Sequence, residues 1–243
     1  MSSREAILTR IREALRVAAP RPGHQHGELK GEHGGLKVVR EDGATVTQPA
    51  SPAFEQWLPP VGPTHEEQMA LFCRNADDLR AEVHLCDDEA AMAAMLCQLA
   101  RENGWKRVGT HRGVLTDGAM KALPLPVVQT TDGYSVEDLE QCDAGVTECD
   151  ALIAQTGSVL ITSQSAGGRG LSILPPHHVV LVRRSQLIAD LAAGYALLRA
   201  KHGDTLPSLI SFITGPSRTG DIERILVLGA HGPKRLTILC CNG

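Results

Sequence analysis

The chain has 243 residues, with 24 Lys plus Arg against 28 Asp plus Glu and a formal net charge of -4, so it lacks the basic excess that binding a phosphate backbone requires. Three Phe, two Trp and two Tyr are too few for base-stacking platforms, and no nucleic acid is expected as a partner. Composition is 42% hydrophobic and 21% charged, the usage of an ordinary folded domain. The longest uninterrupted apolar run, residues 90–97, falls well short of the roughly 18 residues of a membrane span. The opening MSSREAILTRIREALR sets charges among its apolar positions and carries no signal-peptide core, so the cytoplasm is the expected location and no membrane span is expected.

In chain order, Ser2 and Glu5 form a capping-box pattern ahead of Ala6, Ile7, Ile11, Ala14 and Leu15 at helical spacing. This predicts an amphipathic helix over 1–18. From 19 to 63, Pro and Gly recur and the chain reads as a loose arm, within which Asp42-Gly43 between two β-prone runs signals a hairpin. Regular patterning starts at 64. Thr64 with Glu67 caps a helix to about 79, and AEVHLC reads as a strand. Asp87 or Asp88 caps a helix that Asn103-Gly104 ends. Strands follow at 106–110 and 125–129, then a polar loop, a short helix over 148–154 and the strand SVLITS. After the glycine-rich QSAGGRG come the strand HVVLV, a helix over 185–200, the strand SLISFIT, a short helix from Asp221 and the closing strand RLTILCC. Near-continuous apolar strands alternating with helices predict an α/β domain over 64–243, a mostly parallel sheet with helices on both faces.

Ligands in such sheets bind beyond the carboxyl ends of strands, and three loops there carry candidate residues. Thr156, Gly157 and Ser158 turn tightly before a strand, either as an anion-binding nest of amides and hydroxyls or as a helix C-cap with a tight turn. Gly167, Gly168 and Arg169 follow a strand and combine flexible backbone with a guanidinium fork suited to an anion; the alternative is a plain surface loop. No Gly-Lys-Ser/Thr phosphate loop is present. The third loop runs through Gly215, Ser217, Arg218 and Thr219 to Asp221, where a helix start would attract an anion, unless Asp221 and Glu223 pair with Arg218 as a structural clasp; His231 returns near the same tip.

Seven cysteines, at 73, 86, 97, 142, 149, 240 and 241, include no C-x-x-C and are expected as free thiols rather than metal ligands. Alternation sends His177 and His178 to opposite faces of a strand, leaving one ring exposed or satisfied in the core. No metal site is expected.

The segments GVTECDALIAQTGSVLITS, LSILPPHHVVLV and ISFITGPSRTGDIERILVLGAHGPKRLTILCC, with ILTRIREAL and LRAEVHLC, resemble the LUD-domain family in its lactate-utilization subgroup, over residues 1–18 and 64–243. The resemblance implies a fold like the NagB, ribose-5-phosphate isomerase and CoA-transferase group. It also implies membership of a bacterial three-component system that oxidises L-lactate to pyruvate, with iron-sulfur clusters in the partner proteins and none in this chain; the strand-end loops add the expectation of a small anionic ligand here. Where the family usually has glutamate, this chain has Gln155, and an amide can neither form an acyl anhydride nor act as a base. The alternative function is a stand-alone enzyme of the same fold acting on an anionic small molecule.

Overall fold

The computed structural model describes residues 60–218 and 231–242, with the backbone at 37–39, 45–47, 219 and 227–228. The chain divides into two compact units, Met1–Gln56 and Trp57–Gly243. In the first, β1 (Lys37–Val39) and β2 (Thr45–Thr47) pair antiparallel, as the Asp42-Gly43 hairpin signal predicts; the predicted helix over 1–18 lies outside the described residues.

The second unit opens with α1 (His65–Asp78). Its capping box is made as predicted: the Thr64 hydroxyl accepts from Glu67 N–H at 3.2 Å, and the Glu67 carboxylate accepts from Thr64 N–H at 3.0 Å. There follow β3 (Glu82–Cys86) and α2 (Glu89–Glu102), the latter capped by Asp88 accepting from Ala91 N–H at 2.7 Å. Next come β4 (Val108–Thr110), α3 (Val114–Ala122), β5 (Val127–Gln129), α4 (Val136–Glu140), β6 (Ala144–Glu148), β7 (Ala151–Ile153), β8 (Ser158–Thr162) and β9 (His177–Arg183). The chain closes through β10 (Leu187–Ile188), α5 (Leu191–His202), β11 (Ile210–Ile213), β12 (Arg218–Thr219), β13 (Val227–Leu228) and β14 (Arg235–Cys241).

Six strands form an entirely parallel sheet in the order β3-β14-β9-β6-β4-β5. Strand alternation divides its side chains between two cores. Val179, Leu181, Leu239 and Cys241 pack with Met92 and Leu96 of α2 and Leu115 and Ala119 of α3. Val180, Val182, Ile238 and Cys240 face the other way, onto Met69, Phe72 and Ala76 of α1 and onto Leu152, Val159 and Ile161. Both faces are thus buried, the condition under which all-parallel sheets occur; each fully buried Val or Ile contributes roughly 1.5–3 kcal/mol.

Leu152, Val159 and Ile161 belong to a second sheet, of order β10-β7-β8-β11, which is antiparallel except for the β10·β7 pair. Its far face packs on α5 through Ile153, Leu160 and Leu198. This sheet corrects the predicted short helix over 148–154. Glu, Ala and Leu there suit a helix by propensity, but Ala151, Leu152 and Ile153 are all buried, and burial between β8 and β10 overrides a weak local preference. The helix predicted from 185 starts later, at Leu191, after a 3₁₀ turn (Arg184–Gln186) and β10. The helix predicted from Asp221 lies outside the described residues; β12 and β13 pair antiparallel on either side of it.

Close approach of the layers requires glycine in β6. A Cβ at Gly145 would overlap the Leu171 carbonyl oxygen, a backbone atom with nowhere to move, whereas Gly118, inside α3, has open space around it. We expect Gly145→Ala to destabilise the domain by about 2 kcal/mol or more and Gly118→Ala to stabilise it by up to ~1 kcal/mol, read as opposite shifts of the urea midpoint.

Candidate functional site

Loops at the carboxyl ends of the parallel strands are closed by their own contacts. Glu148, the last residue of β6, turns its carboxylate onto the start of α3 and accepts from Leu115 N–H at 2.7 Å and Thr116 N–H at 3.1 Å. It thereby supplies the cap that Gly113 lacks. His111 accepts from the Glu148 amide at Nε2 (3.0 Å), and its Nδ1 lies 2.9 Å from Arg112 O, so the ring is neutral with its proton on Nδ1; burial pushes it below its ordinary pKa. Gly167 adopts φ +61° and rests directly on the His111 side chain. Gly168 is likewise left-handed, at φ +103°, and Arg169 donates outward to Ser208 O at 3.3 Å. The glycine-rich loop is therefore packed down rather than open.

The turn at Thr156, Gly157 and Ser158 is closed as well. Gly157 (φ +64°) would place a Cβ 2.8 Å from backbone atoms of Asn75 and Ala76, and Asn75 donates to the carbonyls of Ala154 and Gln155 at 2.9 and 3.0 Å. Its hydroxyls run inward as a chain, Thr156 to Ser158 at 2.7 Å and Ser158 to Thr214 at 2.9 Å.

A cavity lies on the neighbouring strand residues of β11. It measures about 190 Å³ and lies between β11, the loop tips at 215–217 and 231–233, and the amino ends of β9 and β14. Of the residues singled out from the sequence, Gly215, Ser217 and His231 line it, and Ser217 N–H donates to Pro233 O at 2.9 Å, fastening the two tips together. Gly215 (φ +114°) would set a Cβ 2.7 Å from Leu79 O, and Arg218 donates to that same carbonyl. Arg218 is therefore a tether to the end of α1, not a wall of the cavity. The Thr219 side chain and Asp221 lie outside the described residues.

Sequence reasoning missed Ser172, His178 and Ser211, which also line the cavity. The available signal was in β11, where period-2 alternation puts Leu209, Ser211 and Ile213 on one face. His177 and His178 do point to opposite faces, but neither is exposed. His177 Nε2 meets Thr237 Oγ1 at 2.8 Å and its ring stands edge-on to Trp105 with centroids 5.2 Å apart. His178 Nε2 meets Thr147 Oγ1 at 2.9 Å, and its Nδ1 is buried without a partner among the described residues, an arrangement that costs roughly 1–3 kcal/mol if nothing fills it. Burial, reinforced by its neighbour His177, holds His178 down to about 3; burial and Arg235 hold His177 down to about 4.

No group of three or more His, Cys, Asp or Glu among the described residues stands where it could hold a metal. The seven cysteines are free and buried or half-buried. Burial raises the thiols of Cys73, Cys86, Cys142 and Cys241, takes Cys240 to about 12 and holds Cys149 well above the ordinary thiol range. No described helix is long and apolar enough to cross a membrane.

A two-sheet α/β domain with a small cavity between β11 and the amino ends of β9 and β14 is the class that fold and site define. The LUD domain model matches residues 69–240, and the chain belongs to that family, as its signature segments imply. It is 40% identical over 102 residues to lactate utilization protein C of Halalkalibacterium halodurans, covering 41% of this chain and 44% of that protein. To lactate utilization protein C of Bacillus subtilis it is 35% identical over 101 residues, 41% and 42% of the two chains. The match thus spans less than half the length of these relatives. The fold is shared with a DUF162 family protein from Deinococcus radiodurans, with TM-score 0.58 and 20% identity over 74% of this chain and 99% of the other.

The two buried histidines set a pH dependence. Each binds a proton in the unfolded chain near pH 6.5 but in the folded chain only near 4 and 3, so the unfolded state gains protons first as pH falls and stability falls with it. We expect unfolding free energy to drop by about 2 kcal/mol per ring between pH 7 and 5, with His111 adding in the same direction; a flat urea midpoint over that range would contradict the burial of these rings.

Proposed function

We propose that this protein serves bacterial L-lactate utilization as the component without iron-sulfur clusters, in an assembly that oxidises L-lactate to pyruvate. The observation that carries the reading is the 40% identity to lactate utilization protein C within a domain of the same family. Oxidation of lactate releases two electrons and two protons, and in this reading iron-sulfur partner proteins take the electrons, while this chain binds a small anionic ligand and docks to the partners. Cys149 and Cys240 support a structural part: their thiols are held protonated inside the sheet core and so make poor ligands and nucleophiles.

The alternative, a stand-alone enzyme of the same fold acting on an anionic small molecule, is less well supported in its covalent transferase form. Gln155 lacks the carboxylate that such chemistry needs, and the turn that carries it lies against α1, with its amide donating to Ala189 O at 2.9 Å. A clean deletion should abolish growth on L-lactate while leaving growth on glucose intact, and the tagged full-length chain should recover iron-sulfur proteins from lactate-grown cells. Undiminished growth of the deletion strain on L-lactate would end the proposal.

A further inference from the structure

The seven cysteines take no part in the cavity lining, and no group of three or more His, Cys, Asp or Glu among the described residues could hold a metal. Two of them stand apart by position. Cys86 is the last residue of β3 and Cys241 the last of β14, and the parallel ladder sets them directly side by side as the final pair of a register that begins with Glu82 beside Thr237. Asn242 N–H donates to Cys86 O at 3.3 Å and carries the ladder just past them. Both side chains lie on one face: Cys241 belongs to the core beneath α2 and α3, and Cys86 packs against that same core.

This placement meets the geometric conditions for a bridge. Neighbouring strands run about 4.8 Å apart, within the roughly 4.4–6.8 Å that separates the Cα atoms of bonded cysteines, and Cβ vectors leaving one face do not point apart. The mean Cβ separation in a disulfide, about 3.8 Å, is shorter than that spacing, so the strand ends must draw together by about 1 Å. β3 is an edge strand with a single neighbour and can move toward β14 without stretching a ladder on its other side. None of the other five cysteines has a cysteine beside it in register. Cys240 stands between Leu85 and Val182 on the opposite face, and Cys97 and Cys142 donate to the carbonyls of Ala122 and Asp138 at 3.2 and 3.3 Å. The two thiols of the pair also differ in access. Cys86 is half-buried, whereas Cys241 has no exposed surface, so the first encounter with a reagent falls to Cys86. Burial raises both thiols, and Cys241, Asp87 and Asp88 raise Cys86 further; exchange is therefore slow, on the order of hours.

We propose that Cys86 and Cys241 are a reversible redox pair, oxidised by low-molecular-weight disulfides to a bridge that staples the edge strand β3 to β14. The Cys86 thiolate attacks one sulfur of the small disulfide RSSR, whose S–S bond breaks; a mixed disulfide forms on Cys86, and the departing thiolate takes up the proton that Cys86 released. Cys241, deprotonated in turn, attacks the Cys86 sulfur and expels the second thiolate, which is protonated likewise. Two protein thiols have then lost two electrons and two protons, and RSSR has become two RSH. The bridge closes a loop through most of the domain, so the oxidised chain resists unfolding. It sits at the carboxyl end of β14, whereas the cavity lies at the amino end, and it stands independently of the lactate reading.

The test incubates the full-length chain with oxidised glutathione at pH 8 without denaturant, removes the excess, then unfolds and alkylates it. Alkylatable thiols should fall by two from seven, with no glutathione retained. Digestion should release one linked pair of peptides carrying Cys86 and Cys241, Tm should rise by about 5 °C, and dithiothreitol should reverse all of this. Cys241→Ala should halt at the mixed disulfide, with one glutathione on Cys86. Cys86→Ser, which changes the more accessible partner, should show neither the bridge nor the rise in Tm, and serves if the core variant does not fold. Absence of the linked peptides, linkage of a different pair, a bridge that forms only in urea, an unchanged Tm once the bridge is made, or glutathione left on Cys86 of the parent protein would each overturn the proposal.

Discussion

The carboxylate of Asp150 holds the junction on which the second sheet depends. Chain leaving the parallel sheet at Glu148 enters β7 after only Cys149 and Asp150, and Asp150 is fully shielded there, accepting from the Ser165 hydroxyl at 2.6 Å and pairing with Lys201 of α5. One side chain thereby ties the sheet crossing to the start of the glycine-rich loop and to the outer helix. Only the Asp150 end of this pair is buried, Lys201 being half-exposed, so desolvation of the carboxylate offsets much of the attraction and the pair is weak evidence for net stability. The arrangement therefore acts as a geometric lock more than as a reserve of stability.

With the crossing locked, β8 and β11 are laid across one face of the parallel sheet, covering the row Val180, Val182, Ile238 and Cys240 that helices alone would otherwise have to cover. The cavity lies between β11, the loop tips at 215–217 and 231–233, and the amino ends of β9 and β14. The usual crevice at the carboxyl ends of the parallel strands is occupied instead by protein: the Glu148 cap, the His111 bridge and Gly167 seated on that ring.

Local signals in the sequence carried over to the structure with fidelity. The Thr64–Glu67 box, the Asp88 cap and the Asn103-Gly104 stop depend on neighbours within four residues, and all three are made. The strands at 177–183 and 235–241 were legible because burial on both faces leaves a near-continuous apolar run, whereas the edge strand at 82–86 is only partly buried. Features built from distant residues were not legible. The start of α3 has no cap in its own sequence, as its cap arrives from Glu148, and β7 is a strand only because β8 and β10 flank it. The site divides the same way: Gly215, Ser217 and His231 stand in recognisable loop tips, whereas Ser211 and His178 look like core interruptions until the second sheet is in place.

The cysteines carry a last consequence, for measurement. With thiols held protonated and sequestered at Cys149, Cys240 and Cys241, spread through both cores, an alkylating reagent meets reactive thiolate there only when a core opens. Their labelling rates are a native clock for the separation of the layers. Cys149 keeps time for the junction between the sheets and Cys241 for the face beneath α2, without a single probe having to be introduced.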